Sequence, residues 1–273
     1  MIFVQGESHE TSFFYTENIA FADTHPTPSK KKITYRFPKL QKLGTGAFAR
    51  ITPKGDADVT YVMRVTSREA FKNNKFITNL EFTGSDIHIS AFEKSSITKV
   101  ILNRSVAIEK NAFANSNLIS IEGTQPPTIG VDSSLPGSAP QASSPVIKQL
   151  GDGAFKGSKL NKLEVFIDME ALDPNEICRF KNGAVCPGSE IFDGVTLDTL
   201  YIDAFEYLHR FEYLHRINKI NNKEKEYGAG IFDDADTEDI KLKIFPSEMK
   251  KHIDKLWNGD FMKKEWKSIK YIN

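Results

Sequence analysis

The chain has 273 residues, room for one large domain or two ordinary ones, and its 36 Lys plus Arg balance 36 Asp plus Glu. That neutrality argues against nucleic acid or an anionic membrane surface as partner. No apolar run reaches the ~20 residues of a transmembrane helix, and Met1-Ile2-Phe3-Val4 turns polar at Gln5, too soon for a signal peptide.

Residues 1–36 are predicted to form an N-terminal cap. Phe13-Phe14-Tyr15 is apolar enough for a strand, and Thr24-His25-Pro26-Thr27-Pro28-Ser29 reads as a turn before Lys30-Lys31-Lys32. Ile33 to Phe37 then alternates as a first strand.

From residue 37 one pattern recurs. An Ala-Phe pair is followed by a small polar residue three positions after the Phe, and by apolar residues five and eight positions after it. Ala47-Phe48 opens a copy whose strand is predicted over Val59 to Val65. Ala70-Phe71 leads to Asn74 and, with one inserted residue, to Ile77, Leu80 and Phe82. Ala91-Phe92 leads to Ser95, Ile97, Val100 and Leu102, and Ala112-Phe113 to Ser116, Leu118 and Ile121. Phe71, Phe92 and Phe113 stand 21 residues apart. A period of this size with L-x-x-L-x-L spacing marks a leucine-rich repeat solenoid.

Later copies are interrupted. Phe155 follows Phe113 by 42 residues, two periods, across a Pro/Ser-rich insertion over 123–145. Ala154-Phe155 leads to Ser158, Leu160, Leu163 and Val165. A second insertion over 168–190 holds Cys178 and Cys186, which a disulfide or two thiols explain equally well. Ile191-Phe192 then leads to Leu197, Leu200 and Ile202. A third insertion over 203–228 carries Phe205-Glu206-Tyr207-Leu208-His209-Arg210, repeated at once as Phe211 to Arg216, with spacing that suits a short helix. Insertions of this kind are expected to gather on one face. Ile231-Phe232 leads to Ile240 and Leu242. A capping helix follows over Ser247 to Trp257, with Ser247 as N-cap and Met249, Ile253 and Trp257 on one side.

The predicted fold is an α/β leucine-rich repeat solenoid, a right-handed superhelix with short parallel strands on the concave face and irregular or short helical segments on the convex face. The small polar position is expected to satisfy backbone groups where each coil turns. The Phe is expected to fill the convex side.

Two phrases carry a family resemblance. Val146-Ile147-Lys148-Gln149-Leu150-Gly151-Asp152-Gly153-Ala154-Phe155 with Leu160 and Leu163, and Phe37-Pro38-Lys39-Leu40-Gln41-Lys42-Leu43-Gly44-Thr45-Gly46-Ala47-Phe48, resemble the BspA-like class of leucine-rich repeat. The ending Ile240 to Pro246, a helix, then Trp266-Lys267-Ser268-Ile269 is similar to the closing repeat of that family, so the resemblance spans 37–273. It implies a bacterial secreted or cell-surface protein, its leader removed, that binds a protein or glycan ligand, host extracellular matrix included, as a monomer without a catalytic centre. An intracellular repeat scaffold is the alternative.

Other motifs imitate chemistry. Leu43 to Ala49 with Tyr61 to Val65 resembles a protein kinase glycine loop and its next strand, and Tyr213-Leu214-His215-Arg216-Ile217 a catalytic loop. Arg64 stands in place of the phosphate-pairing Lys, Ile217 in place of the catalytic Asp, and no Asp-Phe-Gly follows. The six histidines form no zinc-spaced pair. Asp233-Asp234-Asp236-Glu238-Asp239 lacks EF-hand spacing. No catalytic residue, metal site or cofactor is expected.

The expected binding surface is the outward side of the strands, since the residues between buried strand positions face solvent. It comprises Asn79 and Glu81, Lys99 and Ile101, Ser120 and Glu122, Lys162 and Glu164, Thr199 and Tyr201, Asp239 and Lys241. Mixed charge with an aromatic suits protein recognition.

Overall fold

The computed structural model describes residues 31–37, 39–52, 57–126, 129–131, 140–142, 144–172, 190–205, 232 and 236–273. The Cys pair and the body of the tandem hexapeptide lie outside the described residues. In chain order the strands are β1 (Lys31–Arg36), β2 (Ala57–Met63), β3 (Asn79–Phe82), β4 (Asp86–Ile87), β5 (Lys99–Leu102), β6 (Val106–Ile108) and β7 (Ser120–Gly123). They continue as β8 (Ile129–Val131), β9 (Pro140–Ala142), β10 (Val146–Leu150), β11 (Lys162–Glu164), β12 (Phe166–Asp168), β13 (Thr199–Asp203), β14 (Lys241–Phe245) and β15 (Ser268–Tyr271). The α-helix described in full is α1 (Met249–Trp257).

Successive coils add strands to two sheets. One runs β1-β2-β3-β5-β7-β11 and the other β15-β14-β13-β12-β10-β6-β4. Every pair in both is parallel, as stacked coils of one hand require; β8 and β9 form a separate antiparallel pair. The sheets meet at β13, where the Asp198 N–H donates to Asn161 O (3.1 Å) while Tyr201 pairs with Phe166.

Alternation dictates what faces the core. In β3 and β5, Leu80, Phe82, Val100 and Leu102 are buried, and their neighbours are only partly covered. Between coils the Phe side chains stack as a ladder: Phe48, Phe71, Phe92, Phe113, Phe155, Phe192 and Phe232 follow at ring-centroid distances of 4.9–6.0 Å. Each buried ring stabilises the stack by about 2–3 kcal/mol. Trp266 closes the ladder edge-on, 5.2 Å from Phe232 at 80°.

The side bearing the Phe ladder is neither sheet nor helix: of the irregular or short helical segments expected there, the described residues form irregular tight turns. Residues two before and two after each Phe take positive φ: Gly46 and Arg50, Glu69 and Asn73, Ser90 and Lys94, Asn111 and Asn115, Gly153 and Gly157, Glu190 and Gly194. These reversals aim alternate N–H groups along the stack. The N–H groups of Phe48, Phe71 and Phe92 donate to the carbonyls of Ala70, Ala91 and Ala112 in the next coil, each at 2.7 Å. Ala at the acceptor position is fully buried and lets the coils approach.

The polar position behaves less uniformly than expected. Asn74 donates to Phe48 O of the preceding coil (2.7 Å) and accepts from the Phe76 and Ile77 N–H groups. Ser116 donates to Phe113 O (2.7 Å). The hydroxyls of Ser95 and Ser158 are buried without a partner.

The insertions interrupt the chain between β7 and β10, after β12 and after β13, and most of their residues lie outside the described ones. One further expectation shifts. Helix α1 begins at Met249, and Ser247 does not cap it through its side chain; the Met249 N–H donates to Pro246 O (3.0 Å). Met249 and Ile253 are buried against the core, as their spacing predicted.

Candidate binding surface

Parallel register lines up the outward side chains in rows that cross the strands. On the first sheet, Thr34, Thr60, Asn79, Lys99, Ser120 and Lys162 form one row, and Arg36, Val62, Glu81, Ile101, Glu122 and Glu164 the next. Past the bend at Val165 the first row resumes as Thr199, Lys241 and Ser268, the second as Tyr201, Lys243 and Lys270.

Eleven of the twelve residues expected on the strand surface lie in these rows; Asp239 does not. It sits in a 3-10 turn, Thr237–Asp239, that precedes β14, and Lys243 holds the strand position in its stead. The return from Phe232 is longer than in the regular coils, so counting from the Phe misplaces that strand by two residues. Ser120 is in its row but 92 % covered, at 8 % exposure, and offers little to a ligand.

The middle of the face is an ion-pair chain. Lys99 reaches Glu122 at 2.7 Å, and Lys162 reaches Glu122 at 3.6 Å and Glu164 at 3.1 Å. Desolvation pushes the Glu122 carboxyl up, but the hydrogen bond from Lys99 and the charges of Lys99 and Lys162 outweigh it and hold the carboxyl below its ordinary range. The hydrogen bond with Glu164 raises the Lys162 ammonium. Nearer the N-terminal end, Asp58 Oδ1 accepts from Thr78 Oγ1 (2.8 Å) and from the Asn79 amide, and Asn103 donates to Glu81 (3.3 Å).

Tyr201 is held from two sides. Its ring meets Phe166 edge-on at 5.7 Å, and Lys243 Nζ lies 4.6 Å from the ring centroid and 3.0 Å from the hydroxyl. Phe166 is fully buried yet stands apart from the main core, in register beside Tyr201 on the neighbouring strand. Sequence reasoning missed Phe166, Lys243 and Lys270; only strand pairing sets Phe166 and Lys243 beside Tyr201 and Lys270 beyond Lys243. Beside this face an open groove of about 540 Å³ is lined by Asn161, Lys162, Asp198, Asp239 and Lys267 among others. The hydrogen bond from Lys241 (3.0 Å), then that from Thr199, lowers the Asp198 carboxyl.

Of the segments that imitate kinase motifs, Leu43 to Ala49 and Tyr61 to Val65 serve the coil, and Tyr213 to Ile217 lies outside the described residues. The Gly46 N–H donates to Arg68 O (3.1 Å), and Arg64 Nε donates to Leu40 O (3.3 Å). Among the described residues no group of three His, Cys, Asp or Glu side chains could hold a metal ion, and no helix is long and apolar enough to cross a membrane.

Coils that add parallel strands to two sheets, beside a ladder of stacked phenylalanines, define a repeat protein of the leucine-rich kind. Residues 15–129 match, in six copies, the family model of the BspA type leucine rich repeat region, and this stretch of the chain belongs to that family. The match begins inside the segment read as a cap, and beyond residue 129 the coils of Phe155, Phe192 and Phe232 extend the same ladder. No curated protein and no solved structure matches the chain.

Proposed function

We propose that this protein is a non-catalytic recognition module, secreted or displayed at a cell surface, that binds a protein ligand across the outward face of its strands. In this reading the face is the concave side of a right-handed superhelix, and the chain acts as a monomer with residues 1–36 as its cap. The observation that carries it is the pair of rows in which Asn79, Glu81, Lys99, Ile101, Glu122, Lys162, Glu164, Thr199, Tyr201 and Lys241 present mixed charge and one braced aromatic on a rigid sheet. A rigid aromatic loses little conformational entropy on binding, and charged neighbours select the partner rather than supply affinity.

A screen of the purified chain against extracellular matrix proteins and glycans tests the reading, run beside a variant with Glu164, Tyr201 and Lys241 changed to Ala. Binding by the native chain that disappears in the folded variant supports it. Binding that survives moves the site off the strands, and turnover of a substrate would overturn the non-catalytic reading.

A further inference from the structure

Charge along the second row changes sign from one end to the other. Glu81, Glu122 and Glu164 occupy its middle, followed by Tyr201, Lys243 and Lys270. In the middle the first row compensates: Lys99 and Lys162 reach Glu122 and Glu164. At the far end Lys241 is taken by Asp198 (3.0 Å). Lys243 has the Tyr201 hydroxyl and ring as its partners among the described residues, and Lys270 makes no ion pair among them. Moreover, Lys243 and Lys270 pair directly in register, on strands about 4.8 Å apart. Like charges set opposite one another repel. The fold keeps this repulsion beside an aromatic ring that Phe166 braces edge-on from the neighbouring strand.

We propose that Tyr201, Lys243 and Lys270 dock an acidic segment of a protein partner, laid along the stack with carboxylates over the two lysines and an apolar side chain against Tyr201. This deepens the reading of the strand face as the binding surface and rests on it. The distance from Tyr201 to Lys270, two strand spacings, matches about three residues of extended peptide. A uniformly anionic polymer such as a sulfated glycan fits poorly. Continued along the face it would run from the lysines onto Glu164, Glu122 and Glu81, whereas a peptide can change its charge within a residue or two. The favoured partner is therefore a segment that is acidic at one end and neutral or basic toward the middle of the face.

Fluorescence anisotropy on the whole chain tests this with labelled synthetic probes: an acidic-then-basic peptide, a wholly basic peptide and a highly sulfated heparin oligosaccharide. The acidic-then-basic peptide should bind, more weakly as salt rises, and about tenfold more weakly still to the double variant Lys243→Glu/Lys270→Glu. Lys251→Glu, on the exposed side of α1, should leave its affinity unchanged. Both variants alter solvent-facing side chains, and far-ultraviolet dichroism verifies that they fold. Tighter binding of the sulfated oligosaccharide, lost in the double variant, overturns the peptide assignment in favour of a glycan. Peptide binding that the double variant does not weaken overturns the location. A partner from the matrix screen that needs Glu164, Tyr201 and Lys241 yet ignores Lys243 and Lys270 overturns the charge order alone and leaves the strand face standing.

Discussion

The side-chain amide of Asn74 donates to the backbone carbonyl of Phe48 in the coil before it, at 2.7 Å, while its oxygen accepts from the N–H groups of Phe76 and Ile77. One fully buried residue thus ties two coils and shapes the turn of its own. The equivalent Ser95 makes no such bond.

Asn74→Ala should therefore destabilise the protein by about 2–4 kcal/mol, since it leaves three backbone groups buried without partners. Ser95→Ala should change stability by less than about 0.5 kcal/mol or raise it, because it deletes an unpaired buried hydroxyl. Urea titrations of the two variants decide the matter; equal losses would refute the distinction.

Gly84 and Gly151 stand where coils touch. A Cβ at Gly84 would lie 2.0 Å from Arg64 O, and one at Gly151 2.2 Å from Lys110 N. Neither neighbour is a flexible side chain, so the backbone itself must move. Gly84→Ala and Gly151→Ala should each cost more than about 2 kcal/mol, measured as a lower denaturation midpoint.

Lys94 holds φ +56°, which an L-residue adopts at a cost of about 1–2 kcal/mol. Lys94→Gly removes that strain but adds freedom to the unfolded chain. The net expectation is a gain of about 0.5 kcal/mol, read as a higher urea midpoint at an unchanged slope.

Trp266 covers the last rung of the aromatic ladder and donates from Nε1 to Phe261 O (2.9 Å). In a stack whose coils touch only their neighbours, damage at an end stays near it. Trp266→Ala should speed amide exchange in β14 and β15 at least tenfold and leave β3 and β5 within error of the native chain. Uniform acceleration would mean that the coils unfold as one unit.

The Glu122 carboxyl titrates below its unfolded value of about 4.3. A lowered folded-state value means stabilisation that is present above pH 4.3 and lost as pH falls through the folded value. The side chain is 24 % exposed and its partners Lys99 and Lys162 are more open to solvent, so screening reduces this to a few tenths of a kcal/mol, about 0.3. Glu122→Gln should flatten the loss of stability below pH 4.3 by that amount, and the difference should shrink in high salt.

Much of this molecule is legible in one dimension. Phe71, Phe92 and Phe113 at equal spacing, with Leu80, Val100 and Ile121 behind them, state the coil length, the buried side of each strand and the stacking of the rings. These are local facts, because every regular coil repeats the same short-range problem. The strip from Asn79 to Glu164 follows from alternation alone. What the sequence left undecided begins where the coils change length. The return from Phe232 puts Lys241 and Lys243 on the strand and Asp239 in a turn, and only the pairing of β13 with β14 settles that. The bend at Val165 sets Phe166 in register beside Tyr201, and the pairing of β14 with β15 sets Lys270 against Lys243. Register between coils is a tertiary quantity: it depends on how many residues each turn consumes, and composition and period do not encode that number once insertions enter. The repeat therefore determined the scaffold by itself, and the stacking of unequal coils decided which charges meet on its face.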